Sequence, residues 1–177
     1  KTILLSVPAL LLALSYPFIK RFHSLPQAHL GVAFAFGIPM AFMEIQGSLP
    51  LTAYLLFFTN ILWTLIYDTE YAMSDREDDK SINIKSSALL FESWLGKKDY
   101  YIIIALQTAM TLLLLSICTI ENLTPYFLLS ILIVIGLFYY QIKLIKDHDR
   151  LLCFKAFIHN NWVGLTLFIG IFLNYLP

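Results

Sequence analysis

Three aspartates in one short stretch have the spacing to hold a cation. The segment Tyr67-Asp-Thr-Glu-Tyr-Ala-Met-Ser-Asp-Arg-Glu-Asp-Asp-Lys80 follows directly on an apolar run, residues 51–66, and eight of the chain's 12 acidic residues lie between Asp68 and Asp99. If the apolar run is a helix that continues through the segment, Asp75 and Asp79 are four apart and share a face. Asp68, seven before Asp75, then falls on the same stripe to within roughly 40°. Like charges at that spacing destabilise an isolated helix. A divalent cation reverses the sign, because hard cations take oxygen ligands. The plainer reading is a solvated acidic loop; the junction with a membrane-length apolar segment favours function.

The elements that must position these acids are written in the composition. Of 177 residues, 59% are hydrophobic and only 14% are charged, an apolar fraction well above that of soluble domains. The chain reads as a membrane protein of one domain, residues 1–177. Net charge is zero, which gives no general attraction to nucleic acid. Zinc spacings, Gly-rich phosphate loops and G-x-S-x-G are missing from the sequence. Six apolar segments, residues 2–19, 29–45, 51–66, 100–119, 125–144 and 157–175, are each about long enough to cross a hydrocarbon core. A backbone in lipid must satisfy its own hydrogen bonds, and these segments are apolar on every face rather than alternating. The expected fold is therefore all-α, a polytopic transmembrane helix bundle with six helices. Pro8 and Pro17 should bend the first helix, and Gly31, Gly37 and Pro39 are weak or close-packing points of the second. Cys118 and Cys153 fall at opposite ends of the bundle and should not pair.

Other polar residues extend the acidic stripe or flank it. Asn60 and Thr64 lie eight and four residues before Asp68; Asn60 reads either as an interhelical hydrogen bond or as a substrate contact. Tyr16 and Lys20 are four apart at one end of the first helix. Lys20 either snorkels to head groups or forms with Tyr16 a cation-plus-hydroxyl grip on an anion, and Lys85 admits the same two readings. His159, Asn160 and Asn161 are expected to open the last helix, most simply as an N-cap. Asp99 lies outside the stripe, so its neutralisation is expected to matter little.

Carboxylates and cations together at an apolar mouth suit one kind of substrate. The carboxylates hold Mg²⁺, and the metal with Lys or Arg holds a phosphate. A lipid diphosphate fits, its tail between helices and its head group at the acids. Metal and basic groups stabilise a departing pyrophosphate, and aromatic residues, 15% of the chain, shield a carbocation.

At these same residues the chain resembles the intramembrane aromatic prenyltransferases, most closely the bacterial branch that acts on 4-hydroxybenzoate. The segment from Tyr67 to Asp79 is similar to that family's second aspartate-rich motif. Ile84-Lys-Ser-Ser-Ala-Leu-Leu-Phe91 resembles the stretch after it, and Tyr16-Pro-Phe-Ile-Lys20 the family's Tyr-x-x-x-Lys element. Cys153-Phe-Lys-Ala-Phe157 with Asn160-Asn161 is like the branch's last loop and helix. The resemblance covers nearly the whole chain. It implies a bundle of nine helices around a central cavity in the bacterial inner membrane. It also implies Mg²⁺-dependent transfer of a polyprenyl group from its diphosphate to the ring of 4-hydroxybenzoate, ortho to the hydroxyl, in ubiquinone synthesis. The partners are then polyprenyl diphosphate, 4-hydroxybenzoate and membrane lipid, with no nucleic acid. Asp68, Asp75 and Asp79 correspond to catalytic acids, Asp75 and Asp79 to metal ligands, and Tyr16, Lys20 and Lys85 to substrate-side positions. Asn60 is taken as a substrate contact on the same stripe. One departure is plain: the family's earlier Asn-Asp-x-x-Asp-Arg-x-x-Asp motif does not occur here. The sequence is expected to be the C-terminal two-thirds of such an enzyme, inactive without the first motif.

Two rival classes remain on sequence. A cation transporter or channel would use the acids as an ion-attracting vestibule, but it calls for acids deep within the apolar segments. A membrane assembly subunit would have no chemistry at all. The topology follows from charge: 11 of the 12 Lys and Arg fall in the loops after the first, third and fifth segments or at the foot of the sixth, which makes that side cytoplasmic. A reporter fused between Asp68 and Asp99 is expected to read out as cytoplasmic, and a periplasmic signal would overturn the orientation.

Overall fold

The structure is a computed structural model that describes residues 2–176, except the side chain of Lys20. Nine α-helices are assigned among these residues: α1 (Thr2–Phe22), α2 (Pro26–Ala35), α3 (Gly37–Gln46), α4 (Leu51–Ser74), α5 (Arg76–Ser81), α6 (Ser87–Leu95), α7 (Tyr100–Ile120), α8 (Pro125–Ile145) and α9 (Arg150–Asn174). A single 3₁₀ turn, Gly96–Lys98, leads into α7. Six stretches are long and apolar enough to cross a membrane: α1, α2 with α3, α4, α7, α8 and α9. The chain is an integral membrane protein, as the sequence leads one to expect. Large apolar side chains such as Ile3, Leu14, Phe58, Leu132 and Phe168 stay exposed on the outside of the bundle, where lipid rather than water is the solvent.

Three boundaries differ from the sequence reading, each for a local reason. The second span is broken: α2 stops at Ala35 and α3 begins at Gly37. Pro39 has no N–H for the Ala35 carbonyl, and its ring crowds that carbonyl. The third span does not stop at Ile66; helix α4 runs on to Ser74, carrying the acidic segment's first half with it. The last helix starts seven residues earlier than expected, at Arg150, capped by the Asp149 carboxylate accepting from the Leu152 N–H at 2.9 Å. Asn160 and its neighbours are therefore mid-helix, and the N-cap role belongs to Asp149.

Helix α4 is the post of the bundle, packed against α2, α7 and α9. Gly31 permits the approach of α2, because a Cβ there would sit 3.0 Å from the Ile61 carbonyl oxygen. Gly170 likewise lets α9 close on Ser130 and Phe127 of α8. The core between them is Ile66, Ile103, Met110, Phe127, Ile131, Val134 and Val163, with their neighbours. Both cysteines are free, Cys153 buried within α9 rather than in a loop.

Polar contacts gather the loops into two faces. On one, the Thr52 hydroxyl donates to Glu121, and the Thr124 N–H donates to the Asn174 side-chain oxygen at 2.5 Å. On the other, the Lys85 ammonium donates to the Phe22 carbonyl at 3.1 Å, at the end of α1. The same face carries the three basic loops.

Asp99 is not peripheral. It is fully buried, with Oδ2 accepting from Arg76 Nη2 at 2.6 Å and Oδ1 at 2.8 Å from His148 Nε2. Arg76 Nη1 in turn lies 2.8 Å from His148 Nδ1. Arginine can only donate, so Nδ1 accepts and Nε2–H donates to Asp99. An amide at this position would turn an NH₂ toward one of two donors. Asp99→Asn is therefore expected to lower stability by about 3 kcal/mol, the order found when one partner of a buried ion pair is lost. Unfolding in mixed micelles measures it; a change within 0.5 kcal/mol, about the size of a neutral surface substitution, would make the cluster incidental.

Candidate functional site

The acidic segment is built as a helix, a break and a second short helix. Asp68 and Tyr71 stand in the last turns of α4. Asp75 ends it with φ −96° and ψ 4°, and α5 starts at once. The break costs the stripe little, because the Asp79 N–H donates to the Asp75 carbonyl at 2.8 Å and keeps the two in helical register. The i,i+4 spacing thus survives, and Asp75 and Asp79 still share a face.

Tyr71 occupies the middle of this face. Its hydroxyl hydrogen-bonds to the Asp75 carboxylate and lies within electrostatic range of Asp68 and Asp79. Tyr16 reaches the group from α1, its hydroxyl donating to Asp68 Oδ2 at 3.5 Å across 52 residues of chain. Tyr16, Asp68, Asp75 and Asp79 are thereby brought to one place. Tyr71 was missed, although three residues after Asp68 and four before Asp75 is the spacing of one helix face.

Of the segment's other acids, Glu77 and Asp78 have cations of their own. Asp78 accepts from Arg150 at 2.6 Å, and the same guanidinium lies 4.0 Å from Asp75. Lys80 bridges Glu77 at 3.3 Å and Glu92 at 3.2 Å. The hydrogen bond to Glu92 holds the Lys80 ammonium above the ordinary lysine range, so it stays charged at any neutral pH. Arg150 had no signal in the sequence; it comes from the foot of α9, 75 positions after Asp75.

The remaining expected residues divide. Lys20 lies in α1, one turn beyond Tyr16; its side chain is outside the described residues. Lys85 is tied to the end of α1 through the Phe22 carbonyl. Asn60 is not among the acids; it accepts from the Thr64 hydroxyl at 3.3 Å and lines an apolar cavity further along α4. That cavity, of about 550 Å³, runs between α3, α4, α7, α8 and α9. A second cavity, of about 610 Å³, lies between α4 and α9 beside Tyr67, Phe157 and Asn160. Aromatic rings crowd this inner end: Tyr71 and Phe157 have centroids 5.2 Å apart, and Tyr67 and Phe157 6.2 Å.

Among the described residues no three His, Cys, Asp or Glu side chains converge on one point as a metal cage requires. That donor set still suits Mg²⁺. This ion is usually held by one or two carboxylates with substrate phosphates and water completing its octahedron.

A family model described as the UbiA prenyltransferase family matches residues 1–170. Over 175 residues the chain is 49% identical to the 4-hydroxybenzoate octaprenyltransferase of Nitrosospira multiformis, covering 99% of this chain and 59% of that protein. It is 51% identical over 174 residues to the enzyme of the same name from Escherichia fergusonii, with 98% and 59% coverage. Among solved structures it is similar to the apo structure of a UbiA homolog from Aeropyrum pernix K1, with a TM-score of 0.77 at 25% identity. That match covers 98% of this chain and 64% of the other. The chain spans about 59% of the length of these curated relatives.

If Tyr71 orients the Asp75 carboxylate, losing its hydroxyl frees the ligand to rotate. Tyr71→Phe is expected to weaken Mg²⁺ binding roughly tenfold, at the low end for a lost hydrogen bond behind a metal ligand. Calorimetric titration with Mg²⁺ measures this, and an unchanged affinity would leave Tyr71 as packing only.

Proposed function

Because this chain belongs to the UbiA prenyltransferase family, we propose that it carries the acidic half of a site that transfers a polyprenyl group from polyprenyl diphosphate to the ring of 4-hydroxybenzoate. The reaction would serve ubiquinone synthesis, at the cytoplasmic face of a bacterial inner membrane. The curated relatives are named for such a transfer. The observation that carries the reading is the gathering of Tyr16, Asp68, Tyr71, Asp75 and Asp79 at the end of a membrane-spanning helix, beside an aromatic-lined cavity.

In this reading the allylic C–O bond of the diphosphate breaks, a C–C bond forms to the ring carbon ortho to the hydroxyl, and the proton on that carbon leaves. Asp75 and Asp79, with Asp68 alongside, would hold Mg²⁺. When bound, the ion neutralises the diphosphate and so makes it a better leaving group. Lys20 and Lys85 stand at the end of α1 and beside it, where a cation can hold phosphate oxygens. Arg150, 4.0 Å from Asp75, offsets part of the repulsion among the acids. The Tyr67, Tyr71 and Phe157 rings present π faces to a developing allylic cation and exclude water from it. The Tyr16 hydroxyl, turned toward Asp68, holds that carboxylate's orientation.

The basic loops support the sidedness. The contacts of Lys85 with the end of α1, of Arg76 with His148 in the α8–α9 turn and of Arg150 with Asp78 gather the charged loops on the face that bears the acids, the cytoplasmic one by the positive-inside rule.

The test is product formation from 4-hydroxybenzoate and a polyprenyl diphosphate, with and without Mg²⁺, by the chain co-expressed with an N-terminal segment that carries the family's first aspartate-rich motif. Turnover is expected only with the ion. Asp75→Asn and Asp79→Asn should each lower kcat by at least roughly a hundredfold, with the helical content kept, because an amide cannot replace a charged ligand of a hard cation. Lys20→Met should raise KM for the diphosphate and leave membrane insertion unchanged. Near-normal turnover in both aspartate variants would sink the metal assignment.

A further inference from the structure

Arg150 is fixed at its root and exposed at its head. It is the first residue of α9, directly after the Asp149 N-cap, whose carboxylate accepts from the Leu152 N–H at 2.9 Å. His148, just before that cap, is bound to Asp99 at 2.8 Å and to Arg76 at 2.8 Å. The backbone that carries Arg150 is therefore held against the end of α4. The side chain itself is 63% exposed.

The head is only partly used. Nη2 donates to Asp78 Oδ2 at 2.6 Å and lies 4.0 Å from Asp75 Oδ1. The second distance is too long for a hydrogen bond, so Asp75 keeps its lone pairs for another partner. An arginine carries its N–H donors in a planar fork, and among the described residues Nη1 and Nε of Arg150 meet no acceptor. The neighbouring cations differ. Arg76 is buried and committed to Asp99 and His148, Lys80 spans Glu77 and Glu92, and Lys85 donates to the Phe22 carbonyl. Among the described side chains, Arg150 is thus the one basic group within ion-pair range of Asp75, and it has donors to spare.

Stability does not account for this arrangement. An exposed pair such as Arg150 with Asp78 contributes at most about 1 kcal/mol, and a cation beside a metal ligand opposes the metal's own charge. An anion reverses that sign. A diphosphate at the acids is attracted by metal and guanidinium alike, and the fork of N–H groups matches two phosphate oxygens at once.

We propose that Arg150 is a substrate-binding residue that grips the donor's diphosphate through the N–H groups Asp78 leaves free, while Asp78 holds the guanidinium beside Asp75. The inference rests on the prenyl-transfer reading and adds to it a diphosphate contact from α9, besides those proposed for Lys20 and Lys85. Once the allylic C–O bond breaks, the same contact stabilises the departing pyrophosphate.

The test is calorimetric binding of Mg²⁺ alone, and of inorganic pyrophosphate in the presence of Mg²⁺, to the chain co-expressed with the N-terminal segment that carries the first aspartate-rich motif. Arg150→Gln is expected to weaken pyrophosphate binding roughly tenfold or more, the scale of a lost hydrogen bond to a charged group. The same variant should bind Mg²⁺ alone as tightly as the unsubstituted protein or more tightly, because a positive charge has left the neighbourhood of Asp75. Arg150→Lys keeps the charge without the fork and should recover only part of the loss. Lys80→Gln removes an equal charge from the same segment and should change pyrophosphate binding by less than about twofold. If Arg150→Gln binds pyrophosphate no more weakly than Lys80→Gln does, the contact is refuted. It is refuted as well if Mg²⁺ alone and pyrophosphate weaken by the same factor, since a general loss of folding does that. Absence of any pyrophosphate binding by the unsubstituted protein refutes the contact together with the diphosphate site. Turnover separates the two readings: a protein that binds pyrophosphate through Arg150 yet forms no product from 4-hydroxybenzoate and a polyprenyl diphosphate keeps the contact and loses the prenyl transfer.

Discussion

A buried ion pair directly behind the acidic face holds the site's frame. Arg76 follows Asp75 in the chain, and its guanidinium is locked to Asp99 at 2.6 Å and to His148 at 2.8 Å. Removing these charges from water costs several kcal/mol per ion, and the cost is offset only when the remaining hydrogen bonds are made. Here most are: Asp99 uses both oxygens, and His148 both nitrogens. The consequence is geometric. The start of α5, the start of α7 and the α8–α9 turn are fixed to one another at the point where α4 ends. Asp75 and Asp79 then sit on a rigid corner rather than on a loop. His148 accepts a left-handed backbone, φ 58°, to take part, a conformation uncommon for a residue with a Cβ.

Helix α4 meets two opposed demands. It must be apolar enough to span and must also deliver carboxylates at its inner end. The chain separates the two along the axis. From Leu51 to Ile66 the helix packs against α2, α7 and α9 without an acid, and only past Tyr67 do acids appear. Glu70 is the exception. It is placed on the face turned toward α9, where Asn160 receives it, and not on the face of Asp68. One turn of helix thus carries the proposed metal-binding stripe on one side and the Glu70–Asn160 hydrogen bond on the other. Neighbours at i and i+2 point apart on a helix.

Charge is balanced locally rather than globally. Net charge is zero, yet the segment after Asp68 is crowded with acids. Arg150 takes Asp78, and Lys80 takes Glu77 and Glu92. Such exposed pairs stabilise the fold little. Their use is to keep the segment's surplus negative charge from spreading the loop apart.

Much of this was legible in the linear sequence. Composition and segment length fixed a membrane-spanning helical protein, because no other backbone satisfies itself in lipid. Basic-residue asymmetry gave an expected orientation. Helical spacing put Asp75 and Asp79 together, and it would have put Tyr71 with them. A one-dimensional pattern carries such information only within a single helix, where 3.6 residues per turn converts sequence distance into direction. It carries none between helices. Tyr16 meeting Asp68 across 52 residues, Arg150 reaching Asp75 and Asp78, Asp99 buried against Arg76 and His148, and Asn160 joining Trp63 to Glu70 all depend on how α1, α7 and α9 pack around α4. That packing is decided by close approaches such as Gly31 on Ile61 and Gly164 on Trp63. A missing side chain in the sequence does not reveal which neighbour will fill the space, and only the folded bundle supplies the partner.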